Sequence, residues 1–173
     1  MANEILLKAN KANDFQTPVI AIEPLLPYLK RDWVIWECAC GKNYITDYLR
    51  TKGLDVIATD ILTGQDFLNW HPKKFDCIVT NPPYSLKDDF LKRCYLLEKP
   101  FALLLPLTTL EGNRQHWLEK YGIEIILMDK RINFETPSGN GSGAWFATAW
   151  FTWGLNIGKQ LTFAKMRKEK LGK

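Results

Sequence analysis

The tetrapeptide Asn81-Pro82-Pro83-Tyr84 follows directly after a strand-like run that ends at Thr80. Proline fixes φ and has no N–H group, so this segment presents carbonyl oxygens rather than donors. The side-chain oxygen of Asn81 is a further acceptor, and Tyr84 supplies a flat ring. Two acceptors beside a stacking face suit a planar base that carries an exocyclic amino group. The same residues also fit a simple turn that closes a strand, because Asn-Pro commonly begins turns.

Two more predicted strands end in residues that suit a nucleoside-type cofactor. The strand predicted over 33–37 runs into the small-residue turn Cys38-Ala39-Cys40-Gly41, and Asp60 closes the next predicted strand. An acidic side chain at that place can bind ribose hydroxyls through its two oxygens. Ligands of open parallel sheets bind outside the carboxyl ends of the strands. We therefore expect a cofactor across the first two strand ends, with its reactive end pointing at Asn81.

The elements that must position these residues follow an alternating pattern. Apolar β-rich runs alternate with helical spacing, which predicts an α/β fold with a doubly wound, Rossmann-like and mostly parallel sheet of about seven strands. Strands are predicted over 33–37, 55–60, 66–68, 75–80, 101–105, 123–128 and 144–152, the last one antiparallel. Helices are predicted over 45–52, over 85–97 with a capping pattern at Ser85, and over 109–121.

Proline and glycine predict the irregular parts of the chain. Pro24 and Pro27 predict a short or broken helix over 19–29. The glycine-rich stretch 138–143 is either a loose hairpin turn or a mobile loop over the substrate, and we favour the loop because aromatic residues lie near it.

The composition indicates one soluble domain that takes up the whole chain, 1–173. Hydrophobic residues make up 46% and charged residues 24% of the 173 residues, both ordinary values for a globular protein. The net charge is +4, and the basic excess is concentrated in a C-terminal tail, 159–173. We interpret this tail either as a solubilising helix or as a nucleic-acid contact.

The cysteines and the apolar runs indicate an intracellular, cytoplasmic protein. Cys38, Cys40, Cys77 and Cys94 form no C-x-x-C pair, and the two histidines lie far apart, so we predict no metal site. We interpret the cysteines as small buried residues in a reducing compartment. The N-terminus lacks the apolar region of a signal peptide, and the longest apolar run, 101–105, is too short to span a membrane.

These motifs together resemble those of the amino-group DNA methyltransferases, in particular the small phage-type enzymes that methylate adenine N6. The resemblance covers about 14–152. Phe15-Gln16-Thr17-Pro18 resembles the family's N-terminal cofactor motif, and Glu37-Cys38-Ala39-Cys40-Gly41 resembles its cofactor loop. Asn81-Pro82-Pro83-Tyr84 resembles the catalytic motif, which follows the cofactor motifs as in the family's gamma arrangement. The stretch 131–134 followed by 144–148 resembles a hairpin that supplies an aromatic residue to the target pocket.

The resemblance implies S-adenosylmethionine as the methyl donor and DNA, with RNA as an alternative, as the partner. It implies a seven-stranded sheet with an antiparallel last strand. It assigns catalysis to Asn81, Pro82, Pro83 and Tyr84 and contact with the substrate to Tyr84, Trp145 and Phe146. The implied cofactor contacts are Phe15, Thr17, Pro18, Glu37, Cys38, Ala39, Gly41, Asp60, Ile61, Asp66, Phe67 and Asn81.

Two residues depart from the family's pattern in the cofactor loop. Cys38 stands where proline is usual, and Asn43 stands where a second glycine is usual. Asparagine tolerates left-handed backbone angles better than most residues, so the turn can still form.

The leading functional hypothesis is a DNA adenine-N6 methyltransferase. The same tetrapeptide would serve an enzyme that acts on a base in RNA or on a protein glutamine amide, because each presents a planar nitrogen with hydrogens to donate. A non-catalytic nucleic-acid-binding module is a further alternative, which the altered cofactor loop supports.

Overall fold

A computed structural model describes residues 15–136, 139–140 and 146–167, and a seven-stranded mixed sheet forms its centre. The strands are β1 (Val34–Glu37), β2 (Asp55–Ala58), β3 (Cys77–Thr80), β4 (Phe101–Pro106), β5 (Glu124–Met128), β6 (Glu135–Thr136), β7 (Gly139–Asn140), β8 (Thr148–Trp153) and β9 (Leu161–Ala164). The sheet order is β2-β1-β3-β4-β8-β5-β9, and β6 and β7 form a separate hairpin. Only β8 runs antiparallel to its neighbours in the large sheet, which confirms the predicted fold class.

The helices are short, and several are preceded by single turns of 3-10 helix. The α-helices are α1 (Val19–Ile22), α2 (Tyr44–Thr51), α3 (Lys87–Leu97) and α4 (Gln115–Tyr121). The 3-10 segments are Glu23–Tyr28, Ile61–Thr63, Tyr84–Leu86, Leu107–Leu110 and Gly112–Arg114. Among the described residues, no helix combines the length and the apolar character that crossing a lipid bilayer requires.

Two apolar cores cover the two faces of the sheet, because successive strand residues point to opposite faces. Trp36 and Phe151 lie in the core beneath α3 and α4, and Trp150 lies in the core beneath α1 and α2. Both indole N–H groups are satisfied in the interior. The Nε1 of Trp36 donates to Thr59 Oγ1 at 2.8 Å, and the Nε1 of Trp150 donates to the carbonyl of Ala21 at 2.7 Å.

The predicted irregular helix near the N-terminus is confirmed. The α-helix stops at Ile22, and the chain continues as a 3-10 helix that contains Pro24 and Pro27. Proline removes an N–H donor and clashes with the preceding turn, so a regular α-helix cannot run through both positions.

Two of the predicted helix starts are wrong. The helix predicted over 109–121 is α-helical only in α4, because the backbone at Gly112 takes a φ of 76°. The helix α3 begins at Lys87, after the 3-10 turn Tyr84–Leu86, so Ser85 is not its N-cap residue. The loop predicted over 138–143 lies mostly outside the described residues.

One predicted strand is absent, and one strand was not predicted. The stretch 66–68 forms a turn in which Asp66 Oδ1 accepts a hydrogen bond from the N–H of Leu68 at 3.0 Å. The large sheet still has seven strands, because β9 adds a strand at its edge. This strand lies within the predicted basic tail 159–173 and pairs in parallel with β5. The helical interpretation of that tail is therefore wrong for Leu161–Ala164.

The connection from β8 to β9 passes the start of β5 through three left-handed residues. The φ angles are 72° at Gly154, 57° at Asn156 and 92° at Gly158. The N–H of Gly158 donates to Glu124 Oε2 at 3.1 Å, which ties the connection to β5.

We expect Gly154→Ala to destabilise the protein more than Gly158→Ala. Both substitutions place alanine at a positive φ, which costs about 1 kcal/mol. At position 154 the new Cβ would also lie 3.2 Å from the Cα of Pro100, whereas position 158 has no atom within 4 Å. This crowding adds about 1 kcal/mol to the loss in the free energy of unfolding, measured by urea denaturation. Equal losses in the two variants would contradict the close approach to Pro100.

Candidate functional site

A cavity of about 320 Å³ opens at the carboxyl ends of β1, β2 and β3. Its wall contains the turn after β1, the residues that follow β2, the residues that follow β3, and the N-terminal segment 15–17. Of the predicted cofactor contacts, the cavity is lined by Phe15, Thr17, Glu37, Cys38, Ala39, Gly41, Asp60, Ile61, Asp66, Phe67 and Asn81. The remaining one, Pro18, lies outside the lining at the N-cap position of α1.

The turn after β1 needs two left-handed residues, Gly41 with a φ of 49° and Asn43 with a φ of 66°. A Cβ at position 41 would lie 2.9 Å from Gln16 Nε2, so only glycine fits there without displacing that side chain. Asn43 is the N-cap residue of α2 and does not belong to the cavity wall. The backbone angle expected of Asn43 is therefore confirmed.

Asp60 joins the ends of β1 and β2. Its Oδ2 accepts from the N–H of Gly41 at 3.0 Å, and its Oδ1 accepts from the N–H of Leu62 at 2.9 Å. Each carboxylate oxygen has a second lone pair. The carboxylate is thus held at the cavity wall with acceptor capacity left for hydroxyl groups.

Phe67 and Asp66 close the side of the cavity beyond β2. The Phe67 ring stacks on Phe90 with centroids 4.5 Å apart and also packs against Trp36 at 5.2 Å. The carboxylate of Asp66 is held in its turn, because its Oδ2 accepts from Asn69 Nδ2 at 2.6 Å. This wall therefore offers an apolar face beside a fixed carboxylate.

Glu37 is a buried carboxyl group at the end of β1, with 2% of its surface exposed. Its Oε2 accepts from the backbone N–H of Thr46 at 3.0 Å and from Thr46 Oγ1 at 2.7 Å. Burial raises the pKa of Glu37 to about 8, against the opposing effect of these two hydrogen bonds. The side chain is therefore mainly protonated at neutral pH.

The N-terminal segment crosses the ends of the strands. The carbonyl of Phe15 accepts from Asn81 Nδ2 at 2.8 Å, and Gln16 Oε1 accepts from the N–H of Lys42 at 3.1 Å. Thr17 is 2% exposed, and its Oγ1 has no hydrogen-bond partner among the described residues. The segment thereby links the predicted catalytic motif to the turn after β1.

Asn81 presents a buried oxygen that has no partner within the described part of the chain. The carbonyl of Phe15 can only accept, so the NH₂ group of Asn81 must face it, and Oδ1 points elsewhere. A buried, unsatisfied acceptor is costly, and such groups in native proteins call for an explanation. The arrangement leaves Asn81 Oδ1 able to accept a hydrogen bond from a ligand.

Tyr84 lies in a cluster of aromatic rings. Phe15 stacks on it with centroids 6.0 Å apart, and Phe134 and Phe146 meet it in T-shaped contacts at 6.4 Å and 5.5 Å. Burial raises the pKa of the Tyr84 hydroxyl well above its ordinary value, so the phenol stays neutral. The structure thus brings together Tyr84 and Phe146, two of the predicted substrate contacts, and their contact with a substrate stays a prediction. The third, Trp145, lies outside the described residues.

The comparisons with known proteins show which fold this is. No protein-family model and no curated protein sequence matches the chain. A dimethyladenosine transferase from Plasmodium falciparum superposes with a TM-score of 0.52 over 80% of this chain and 61% of its own, at 13% identity. The chain has the fold of that transferase.

Two further solved structures match less closely. A modification subunit assigned to a type I restriction enzyme of Vibrio vulnificus has a TM-score of 0.48 at 11% identity, over 87% of this chain and 47% of its own. A TehB-like SAM-dependent methyltransferase from Corynebacterium glutamicum also has a TM-score of 0.48, at 17% identity, over 87% of this chain and 94% of its own. This chain therefore spans less than two thirds of the modification subunit and of the dimethyladenosine transferase.

Several residues of the site are not predicted from the sequence. The cavity is also lined by Pro83, which is predicted only as catalytic, and by Gln16, Cys40, Lys42, Tyr44, Ile45, Leu62, Leu86 and Phe90. Gln16 and Cys40 lie inside the motifs that carry the resemblance, so their position between predicted cofactor contacts could have indicated them. Leu86 and Phe90 reach the cavity only because α3 packs beside β3, which no local pattern indicates. Of the predicted catalytic residues, Pro82 and Tyr84 lie outside the cavity wall.

We expect Glu37→Gln to change how stability depends on pH. The folded protein holds a proton on Glu37 up to about pH 8, whereas the ordinary pKa of this group is 4.5. The wild type therefore loses stability as the pH rises between these two values, by about 1 kcal/mol per pH unit for a fully buried group. Glutamine cannot ionise and keeps an acceptor for Thr46. The free energy of unfolding of the variant relative to wild type should rise from pH 5 to about 8 and then level off. A difference that stays constant with pH would show that Glu37 is ionised in the fold.

Proposed function

We propose that this protein transfers a methyl group from S-adenosylmethionine to the exocyclic N6 amino group of adenine in DNA. The observation that carries the proposal is Asn81 Oδ1, a buried acceptor at the cavity wall without a partner among the described residues. The hydrogen bond from Asn81 Nδ2 to Phe15 keeps this oxygen free for a donor such as an amino group.

The residues of the cavity fit the proposed cofactor. A volume of about 320 Å³ falls at the lower end of the range for small-molecule sites. Asp60 would accept from the ribose hydroxyls, Phe67 and Asp66 would contact the adenine ring, and the turn after β1 would hold the methionine part. Thr17 Oγ1 supplies a further unpaired polar atom at the wall. When bound, the cofactor supplies an electrophilic methyl group on a sulfonium, so no covalent enzyme intermediate is needed.

The chain's own residues activate and position the amino group. The nitrogen of an adenine amino group is a poor nucleophile, because its lone pair is delocalised into the ring. Asn81 Oδ1 would accept a hydrogen bond from one N–H of the amino group and the carbonyl of Pro82 from the other, which favours a localised lone pair directed at the methyl group. The nitrogen would bond to the methyl carbon as the carbon–sulfur bond breaks, S-adenosylhomocysteine would leave as a neutral thioether, and the extra proton on the nitrogen would be released to water. Holding the two reactants in line supplies a large part of the rate enhancement.

The aromatic cluster around Tyr84 would bind the target base. Phe15 covers one face of the Tyr84 ring, so an adenine stacked on Tyr84 would take the other face. Turning a base out of a duplex costs a few kcal/mol, and stacking on an aromatic ring returns roughly 1–3 kcal/mol. Stacking would therefore offset much of the cost of extracting the base.

Two observations favour this function over its alternatives. Asn43 adopts the left-handed angle of the cofactor turn and does not line the cavity, which speaks against a non-catalytic module. The fold shared with a dimethyladenosine transferase is consistent with an adenine amino group as the target. DNA rather than RNA is proposed because the motifs and their order resemble the DNA enzymes.

Methyl transfer from labelled S-adenosylmethionine to DNA, RNA and protein, assayed in parallel, tests the proposal. We expect label in DNA, recovered as N6-methyladenine after digestion to nucleosides. Label in RNA or protein alone would contradict the DNA assignment. Absence of transfer despite measurable cofactor binding to the same preparation would contradict it for all three classes.

We expect Asn81→Ala to lower kcat by about 100-fold or more, because it removes an acceptor that acts on the reacting nitrogen. Cofactor binding, measured by calorimetry, should weaken much less than turnover, since Asp60 and the turn after β1 are untouched and only the contact of Asn81 with Phe15 is lost. Asn113→Ala is the matched control, because Asn113 is exposed and lies outside this cavity. Weakened cofactor binding with normal turnover at saturation would contradict the role assigned to Asn81.

A further inference from the structure

The edge strand β9 exposes a row of apolar and basic side chains. Phe163 is 76% exposed and Leu161 is 46% exposed, and Lys159, Lys165 and Arg167 are exposed as well. Leu161 and Phe163 alternate within β9, so their side chains lie on one face of the strand, and the three basic residues flank them at the same two-residue spacing in the chain. The stretch 159–167 contains no acidic residue. We name this row, Lys159, Leu161, Phe163, Lys165 and Arg167, the β9 face.

The β9 face ends at the same edge of the sheet as the predicted catalytic motif. The strands β3, β4, β5 and β9 run in the same direction, so their carboxyl ends meet at one edge. Lys130 and Arg131 follow β5 at this edge, and both are exposed. Asp129 Oδ1 accepts from the N–H of Met166 at 2.9 Å, which fixes the backbone between Lys165 and Arg167. The segments that follow β5 and β9 therefore carry four basic residues, Lys130, Arg131, Lys165 and Arg167, and one acidic residue, Asp129.

The sheet sets the distance between these cations and Asn81. Four strand spacings separate β3 from β9 in the order β3-β4-β8-β5-β9. At about 4.8 Å per spacing, β9 lies about 19 Å from β3 across the sheet. The pairing sets Thr80 level with Leu161, so Lys165 lies about 10 Å further along the strand direction than Asn81, and the two are about 22 Å apart. Phosphates of one strand of B-form DNA are about 3.4 Å apart along the axis, so the separation corresponds to about six nucleotides.

We propose that the β9 face, together with Lys130 and Arg131, binds the phosphate backbone of the acceptor nucleic acid on one side of the target base. This proposal rests on the proposed function, since the occupant is the acceptor strand of that reaction. Cations beside exposed apolar and aromatic groups are the combination that nucleic-acid strands contact. The strand would run from Asn81 along the edge of the sheet to Lys165 and Arg167.

Charge complementarity favours a nucleic acid over a second copy of this chain. If β9 paired antiparallel with its own copy so that Leu161 faced Phe163, Lys159 would face Lys165. Like charges directly opposite each other destabilise a strand pair, and lysine on an edge strand opposes such pairing. An anionic backbone meets no such repulsion.

The test compares two double variants that remove the same number of charges. Lys165→Gln with Arg167→Gln alters the β9 face. Lys73→Gln with Lys74→Gln is the control, because these exposed lysines precede β3 at the opposite edge of the sheet. Binding of a fluorescent mixed-sequence DNA duplex is measured by anisotropy over a range of salt concentrations, without cofactor. We expect the β9 variant to lower the slope of log K against log salt by about two and to weaken binding about tenfold at moderate salt, with little change in the control.

Turnover provides a second measurement. The β9 variant should raise KM for DNA about tenfold with kcat unchanged, because Lys165 and Arg167 do not reach the reacting atoms. Oligonucleotides with a single adenine, extended stepwise on either side, should bind wild type more tightly once one extension reaches about six nucleotides. The β9 variant should not show this gain.

The outcomes separate this proposal from the proposed function. Equal effects of the two double variants on DNA binding would overturn the β9 assignment, even if methyl transfer to DNA occurs. Wild type that binds phosphatidylserine vesicles or forms a β9-dependent dimer, but does not bind DNA, would also overturn it. Selective loss of DNA binding in the β9 variant, with no methyl transfer by wild type, would support the β9 face as a DNA-binding surface and contradict the proposed methyltransferase activity.

Discussion

The hydrogen bond from Asn81 Nδ2 to the carbonyl of Phe15 connects the motif after β3 to the N-terminal segment of the cavity wall. It joins the end of β3 to a segment 66 residues earlier in the chain, over 2.8 Å. The bond uses the NH₂ group of the Asn81 amide as its donor, so the oxygen Oδ1 is the atom left to accept a hydrogen bond from a ligand. It also places the Phe15 ring on Tyr84. The N-terminal segment 15–17 of the cavity wall and the aromatic cluster around Tyr84 therefore depend on the same contact.

The side of the cavity formed by β1 and β2 is held by hydrogen bonds between neighbouring segments. Asp60 binds the N–H of Gly41, and Glu37 binds Thr46 in the first turns of α2. Such links prearrange the polar groups of the wall, so little ordering would remain to be done when a ligand binds. Burial raises the pKa of Glu37 to about 8, which favours the neutral carboxyl group at neutral pH.

Much of the fold could be predicted from the sequence because local patterns determine it. Apolar runs mark β1 to β5, and the prolines at positions 24 and 27 mark the irregular helix. The errors fall where tertiary contacts decide. The stretch 66–68 has a strand-like pair of apolar residues, but the Asp66 side chain binds its own turn instead. The strand β9 is short and lies between basic residues, so the sequence alone indicates part of a tail, and its pairing with β5 shows that it belongs to the sheet.

The sequence by itself determined which chemical groups this protein carries and the strand ends on which they stand. The acceptors of the Asn81 motif, the carboxylate of Asp60 and the glycine turn all follow from residue types and from their position after apolar runs. The tertiary structure alone decided that Phe15 binds Asn81, that Leu86 and Phe90 reach the cavity, and that basic residues of the C-terminal stretch lie at the same edge as the Asn81 motif. These are contacts between distant segments. They depend on how the strands are ordered in the sheet, which no local pattern encodes.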